Sequence, residues 1–297
     1  MKKFQIQRIL IPVDFSETAL LALEHAVFMA KLNKAEITLL HVIESITFTS
    51  AITDSFVVGT EFEASIEKAA SEKLKTLAED IRKKSGVTVK TVSKAGRIYM
   101  EVVNVAKEID ADLIIMGTHG VSGFREFLVG SNAYRVVSES PCPVISVQTH
   151  TKKIGFKNIV LPIDDTFHSR QKVRYAQEIA DKYGAVIHIL GLVTEEGKDF
   201  EKKFNLKVKQ VEDYFTKHNV SHKTKIVHGN KIAKLCMEYA NEVDADLIIT
   251  MTEQEFDVSG IILGQAAQQI VNHSKIPVMS ISPQENLANV DLHGYGF

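Results

Sequence analysis

Asp110-Ala-Asp-Leu-Ile-Ile115 returns unchanged as Asp244-Ala-Asp-Leu-Ile-Ile249. Upstream, Arg8-Ile-Leu-Ile-Pro-Val-Asp14 returns as Asn158-Ile-Val-Leu-Pro-Ile-Asp164, and downstream Pro143-Val-Ile-Ser-Val147 returns as Pro277-Val-Met-Ser-Ile281. Matches that keep both order and spacing mark an internal duplication. The upstream pair is offset by 150 positions (8 to 158) and the other two by 134 (110 to 244), so the second copy is shorter in its middle by 16 residues. At 297 residues the chain divides into two units of ordinary domain size, each able to bury a core. The expected organisation is a domain over 1–149, a second over 155–283 and a tail over 284–297.

Each copy alternates short β-branched apolar runs with longer stretches of helical period, the pattern of successive βαβ units. In the first copy the pattern predicts strands over 8–13, 36–42, 88–93, 112–116 and 143–147, and helices over 16–32, 62–85, 97–109 and 130–139. Ser16 stands where an N-cap is wanted, ahead of Ala19, Leu23, Ala26, Val27 and Ala30 on one face. A run apolar on both faces, such as Leu113-Ile-Ile-Met116, suits a parallel sheet covered by helices on both sides. The predicted fold class is α/β, three layers, built twice.

Composition narrows the function classes. Hydrophobic residues at 45% and charged residues at 24% are ordinary globular values. A formal charge of −2, with no dense run of Lys and Arg, offers nucleic acid no footprint. The apolar run Ile9 to Val13 is too short for an export signal, and no stretch approaches the roughly 20 apolar residues of a membrane span, so a cytoplasmic location is expected. Cys142 and Cys236 support neither a disulfide framework nor a zinc ribbon.

Chemistry concentrates after the fourth strand, in Gly117-Thr-His-Gly120-Val-Ser-Gly123-Phe-Arg-Glu-Phe-Leu-Val-Gly130-Ser131-Asn132. Its spacing is G-x2-G-x9-G-S. Glycines let backbone N–H groups turn toward phosphate oxygens, and Gly130-Ser131 opens a helix whose unpaired N–H groups favour an anion. The loop follows a strand of an open parallel sheet, where ligands bind beyond the carboxyl ends. Asp14, at the end of the first strand, reaches the same crevice.

These residues resemble the universal stress proteins, specifically their ATP-binding type, and the resemblance covers nearly the whole chain, once per half. It implies a strand order of 3-2-1-4-5 in each half, a Rossmann-like arrangement. By position it implies that Pro12, Val13, Asp14 and Val42 line adenine and ribose, that Met116 and Gly117 begin the loop, and that His119, Gly120, Gly130, Ser131 and Asn132 hold the phosphates of ATP, with or without Mg. The second half departs from the motif: Gly117, Gly120, Gly123 and Ser131 become Met251, Gln254, Asp257 and Gln265, leaving Gly264 and Asp164. That half is expected to be degenerate, with side chains at 251 and 254 filling the space, and the alternative is a site for some other ligand. The implied order also puts each fifth strand at a sheet edge, and the simplest relief for two such edges is to lie antiparallel, or to face each other closely, across a pseudo-two-fold axis, as in the homodimers that the resemblance implies.

Other constellations point elsewhere. His218, His222 and His228 are read as exposed loop histidines, since no carboxylate completes a metal-ligand pattern. Cys142, between two prolines, is read as a small buried residue. Residues 44–61, where the second copy is shorter, are read as a lid or an inter-domain arm. His119, Arg125 and Glu126 are expected to bind rather than catalyse. The expected function is ATP binding in the first half as a regulatory ligand in stress response, with slow or no hydrolysis. The alternatives are an enzyme acting at the nucleotide α-phosphate and an interaction scaffold with an empty cradle. A protein partner or a homo-oligomer stays open.

Overall fold

A computed structural model describes residues 4–44, 60–118, 130–149, 151, 153–166, 168–252, 254–257 and 260–283. The N-terminal half runs β1 (Arg8–Pro12), α1 (Glu17–Asn33), β2 (Glu36–Ile43), α2 (Thr60–Ser85), β3 (Val89–Ala95), α3 (Ile98–Glu108), β4 (Leu113–Gly117), α4 (Ser131–Glu139) and β5 (Val144–Val147). The C-terminal half repeats the plan with β6 (Asn158–Ile163), α5 (Val173–Tyr183), β7 (Val186–Val193), α6 (Lys198–Lys217), β8 (His222–His228), α7 (Ile232–Glu242) and β9 (Leu247–Met251). A hairpin of β10 (Gln254–Asp257) and β11 (Gly260–Leu263) then intervenes before α8 (Gln265–His273) and β12 (Val278–Ile281). The first-half elements begin and end within two residues of the sequence reading. The hairpin was not expected there, and β11 packs against α4 of the other half.

Ten strands form one sheet in the order β3-β2-β1-β4-β5-β12-β9-β6-β7-β8. Each half contributes five parallel strands in the order 3-2-1-4-5, as the resemblance implies. At the seam β5 and β12 run antiparallel, with Ile145 opposite Met279. The pairing of the two fifth strands thus satisfies what would otherwise be two exposed apolar edges. The true edges, β3 and β8, carry Lys90, Lys94, Lys223 and Lys225, charges that discourage further strand addition.

The repeated Asp-Ala-Asp motif explains how β1 and β4 come together. Asp110 adopts a left-handed conformation (φ 46°) that turns the chain out of α3, and Asp244 does the same after α7 (φ 49°). Asp112 then aims one carboxylate oxygen at the start of β1, where it accepts from the backbone N–H groups of Gln7 (3.0 Å) and Arg8 (2.9 Å). Asp246 accepts in the same way from Lys157 (2.8 Å) and Asn158 (3.0 Å). Beyond this clamp β1 pairs with β4 only at Ile9–Leu113 and Leu10–Ile114 before the strands part, whereas β1 follows β2 for its full length.

Helices cover both faces. On one face a single apolar core runs across both halves beneath α1, α2, α5 and α6, while on the other α3 with α4 and α7 with α8 bury separate cores. The shared face is finished by a cluster of rings from α1, α5 and the linker. Phe156 packs on Tyr183 (centroids 5.0 Å apart) and stacks on His25 (5.8 Å, 21°), while Phe4 meets Tyr175 at 4.5 Å. His25 is 3% exposed and its Nε2 has no hydrogen-bond partner among the described residues, and burial pushes its pKa down to about 4.

Two outcomes follow from these contacts. Asp112→Ala strands two backbone donors at the head of β1 and should cost about 2 kcal/mol in denaturant unfolding, while Asp112→Asn, whose amide oxygen still accepts, should cost less. His25 is neutral in both folded and unfolded chains above its ordinary value near 6.5, and only the unfolded chain takes up the proton between there and about pH 4. Stability should therefore fall as pH drops through that window, by about 3 kcal/mol in total from this group. In His25→Phe, followed by thermal unfolding against pH, that part of the loss should vanish.

Candidate functional site

Where β1 and β4 part, a cleft of about 420 Å³ opens beyond the carboxyl ends of the strands. Its inner walls are apolar: Pro12 and Val13 after β1, Leu40 and Val42 of β2, Ile98 of α3 and Met116 of β4. Its outer end is polar, with Asp14, Glu44, Thr118, Ser131 and Asn132. A slot with a flat apolar interior and a polar mouth is what a small ligand with one apolar and one charged end requires.

The turn after β1 sets one wall. Asp14 Oδ1 accepts from the Ser16 backbone N–H (3.0 Å) and from its hydroxyl (2.6 Å), and Ser16 Oγ accepts from Ala19 N (3.2 Å), capping α1 as the sequence predicts. Between them Phe15 sits at φ 63°, an unusual backbone conformation for a bulky residue. Its ring rests against His41 (5.1 Å) and beneath the Lys73 ammonium (4.1 Å), and His41 Nδ1 is 2.7 Å from the Val13 carbonyl. Strain of this kind, roughly 1–3 kcal/mol, survives only where its surroundings hold it, and such places cluster at binding sites.

The opposite wall comes from the ends of the glycine loop. Gly117 closes β4 under the first turn of α1, and a Cβ there would lie 3.0 Å from the Thr18 backbone carbon. Thr118 donates its N–H to Val147 (3.0 Å), and its own carbonyl accepts from Gly130 N (2.9 Å), so the loop leaves and returns at one point. Gly130 is the N-cap of α4, and among the described residues no side chain caps that helix. The first-turn N–H groups of Ser131, Asn132 and Ala133 therefore open on the cleft, where a helix N-terminus carries about half a positive charge.

Of the residues singled out from sequence, Pro12, Val13, Asp14, Val42, Met116, Gly117, Gly130, Ser131 and Asn132 all line this cleft. His119 and Gly120, with Gly123, Arg125 and Glu126, lie outside the described residues, as do 45–59 of the segment read as a lid or an arm and the tail from 284. Leu40, Ile98 and Glu44 were missed, although Ile98 opens a predicted helix beside the crevice.

The histidine reading needs correction. His222 and His228 bound strand β8 rather than sitting in a loop, and His222 is half-buried, its Nδ1 2.9 Å from the Val220 carbonyl and its ring 5.9 Å from that of Phe215. His218 caps α6, with Nδ1 2.7 Å from the Tyr214 carbonyl. Among the described residues no three metal-ligating side chains converge. Cys142 is half-buried, and desolvation pushes its thiol up to about 12, the wrong direction for a nucleophile.

In the second half the corresponding space is a remnant of about 20 Å³, room for roughly one water. Met251 lines it, as expected from sequence, but Gln254 belongs to the hairpin, and Lys172 lines the remnant instead. Lys172 is displaced by 150 positions from Ala22 of α1, so a charge at a buried helical position was the available signal.

Comparison with known proteins accords with this geometry. A universal stress protein of Methanocaldococcus jannaschii is 34% identical over 153 residues, 48% of this chain and 94% of the relative. A second, from Bacillus subtilis, is 32% identical over 145 residues, 48% of this chain and 98% of its own length. A crystal structure of a universal stress protein from Archaeoglobus fulgidus superposes over 94% of this chain and 99% of its own, with a TM-score of 0.75 at 22% identity, which shows the shared fold. The family model of the Universal stress protein family matches residues 5–148 and again 155–282. The chain belongs to the universal stress protein family and carries that family's domain twice.

Proposed function

We propose that the protein is a cytoplasmic stress-response protein that binds one ATP, with or without Mg, in the cleft of its N-terminal half, as a regulatory ligand that it turns over slowly or not at all. The observation that carries this reading is the uncapped N-terminus of α4 facing an apolar-floored cleft at the β1–β4 gap. The base lies in the slot between Val13, Leu40, Val42 and Met116, the Asp14 carboxylate accepts from a ribose hydroxyl, and the phosphates meet Ser131, Asn132 and the loop glycines. Adenine as the base, and His119 and Gly120 as phosphate holders, come from the family resemblance of the Gly117–Asn132 motif.

Slow turnover is argued from the polar groups at the mouth. Asp14 is committed through Oδ1 to the Ser16 cap, and Glu44 is the other carboxylate among the described lining residues. An ATP-cleaving site wants a positioned base and metal ligands in addition to a cradle.

Ligand-induced thermal stabilisation tests the binding. At 100 times its dissociation constant ATP should stabilise the wild type by about 2.7 kcal/mol. Gly117→Met, which copies Met251, should lose that stabilisation, and Ser131→Ala, which leaves backbone and volume in place, should reduce it. Equal stabilisation of all three proteins would place the site elsewhere. Phosphate release at saturating ATP should run far below the roughly 10 per second typical of enzymes. A rate near that value would replace the regulatory reading with an enzymatic one.

A further inference from the structure

The two halves differ where their first helices begin. In the first half α1 starts at Glu17, directly after the Asp14 turn, whereas α5 starts only at Val173, and the segment that matches the first turns of α1 is a series of tight turns. The methionine at 251 supplies a physical reason. A side chain at 117 would strike the backbone of Thr18, so a side chain at the matching position cannot share the space with the same helical turn. Met251 is 5% exposed and holds that space, and residues 168–172 run in turns rather than in an α-helix.

That path brings Lys172 inward. It is 2% exposed, among the largest fully buried side chains of the molecule. It lines the remnant cleft with Pro162, Asp164, Ile232, Thr250 and Met251. By the two repeat offsets these five stand for Pro12, Asp14, Ile98, Met116 and Gly117, which all line the open cleft of the first half. The turn is stitched so as to present the lysine. Asp164 Oδ1 accepts from the Thr166 N–H (3.0 Å) and hydroxyl (2.6 Å), and Ser169 Oγ accepts both from Asp164 N (3.0 Å) and from Lys172 Nζ (3.3 Å). An ammonium taken out of water is costly unless it meets hydrogen-bond partners, and this turn supplies a hydroxyl in place.

We propose that Lys172 is a tethered occupant of the second cleft: a primary alkylammonium, carried on the chain itself, fills the space that the first half leaves open to a soluble ligand. The C-terminal half is then an always-occupied copy of the domain, whose site would take a small alkylammonium once the tether is cut. The inference rests on the equivalence of the two clefts and not on which ligand the first one binds.

Chemical rescue tests it. Lys172→Ala removes three carbons and the amine, so n-propylammonium chloride is the missing piece. The variant should melt several degrees below the wild type, and millimolar n-propylammonium should raise its melting temperature dose-dependently while leaving the wild type unmoved. Sodium chloride at equal ionic strength should not do so, and n-propanol should do so less. A variant that does not fold alone is refolded with the amine present, and recovery of folded protein is then the rescue. No amine-dependent gain, or an equal gain in the wild type, overturns the proposal. Reductive methylation of the folded wild type, read by mass spectrometry, is the second arm. Lys172 should stay unmodified while the exposed Lys153 reacts, and modification of both at similar rates overturns the proposal as well.

Discussion

The carboxylates of Asp112 and Asp246 each grip two backbone N–H groups at the head of a first strand, and the rest of the architecture is arranged around those grips. Each holds first and fourth strands together at their amino ends, where the pair shares only two residues of register before diverging. The connection after the first strand leads to a helix on one face and that after the fourth to a helix on the other, so a crevice is left between their carboxyl ends. That gap is the cleft in the first half and its remnant in the second. The clamp thus ties the strands together at one end and leaves them apart at the other, where the cleft lies.

The same scaffold carries an open cleft in one half and a closed remnant in the other, through changes at a few positions. Gly117 lets the first turn of α1 lie against the end of β4, which keeps the Asp14–Ser16 turn on one side of the cleft and the α4 N-terminus on the other. With methionine in its place, the helix starts later, a lysine turns inward, and the loop that would face the cleft is a hairpin packed on α4 of the other half. The antiparallel seam and the apolar core shared beneath α1, α2, α5 and α6 make the halves one folded body. The altered copy contributes to the fold through that seam, whatever its own cleft holds.

Much of this was legible in the residues. Order and spacing of three repeated segments sufficed for two α/β units, and Ser16 announced the start of α1 because a side-chain cap is a local event. The antiparallel seam was one of two arrangements expected once the strand order implied by the family resemblance put both fifth strands at an edge. What stayed hidden depends on contacts between distant segments. The strands Gln254–Asp257 and Gly260–Leu263 pair as a hairpin whose second strand meets α4 of the other half, and Lys172 reads as a surface charge until the 150-residue offset sets it beside Ala22. The histidines at 222 and 228 looked like loop residues because polar and apolar residues mix in an edge strand.

The central claim is that one half binds nucleotide and the other does not. Isothermal titration of the intact chain with ATP addresses it most directly, since the geometry allows a single site among the two clefts. A stoichiometry of one per chain is the predicted result. A value near two would mean that the second cleft opens despite Met251 and Lys172, and no binding at millimolar ATP would mean that the uncapped helix and apolar slot of the first half serve another ligand.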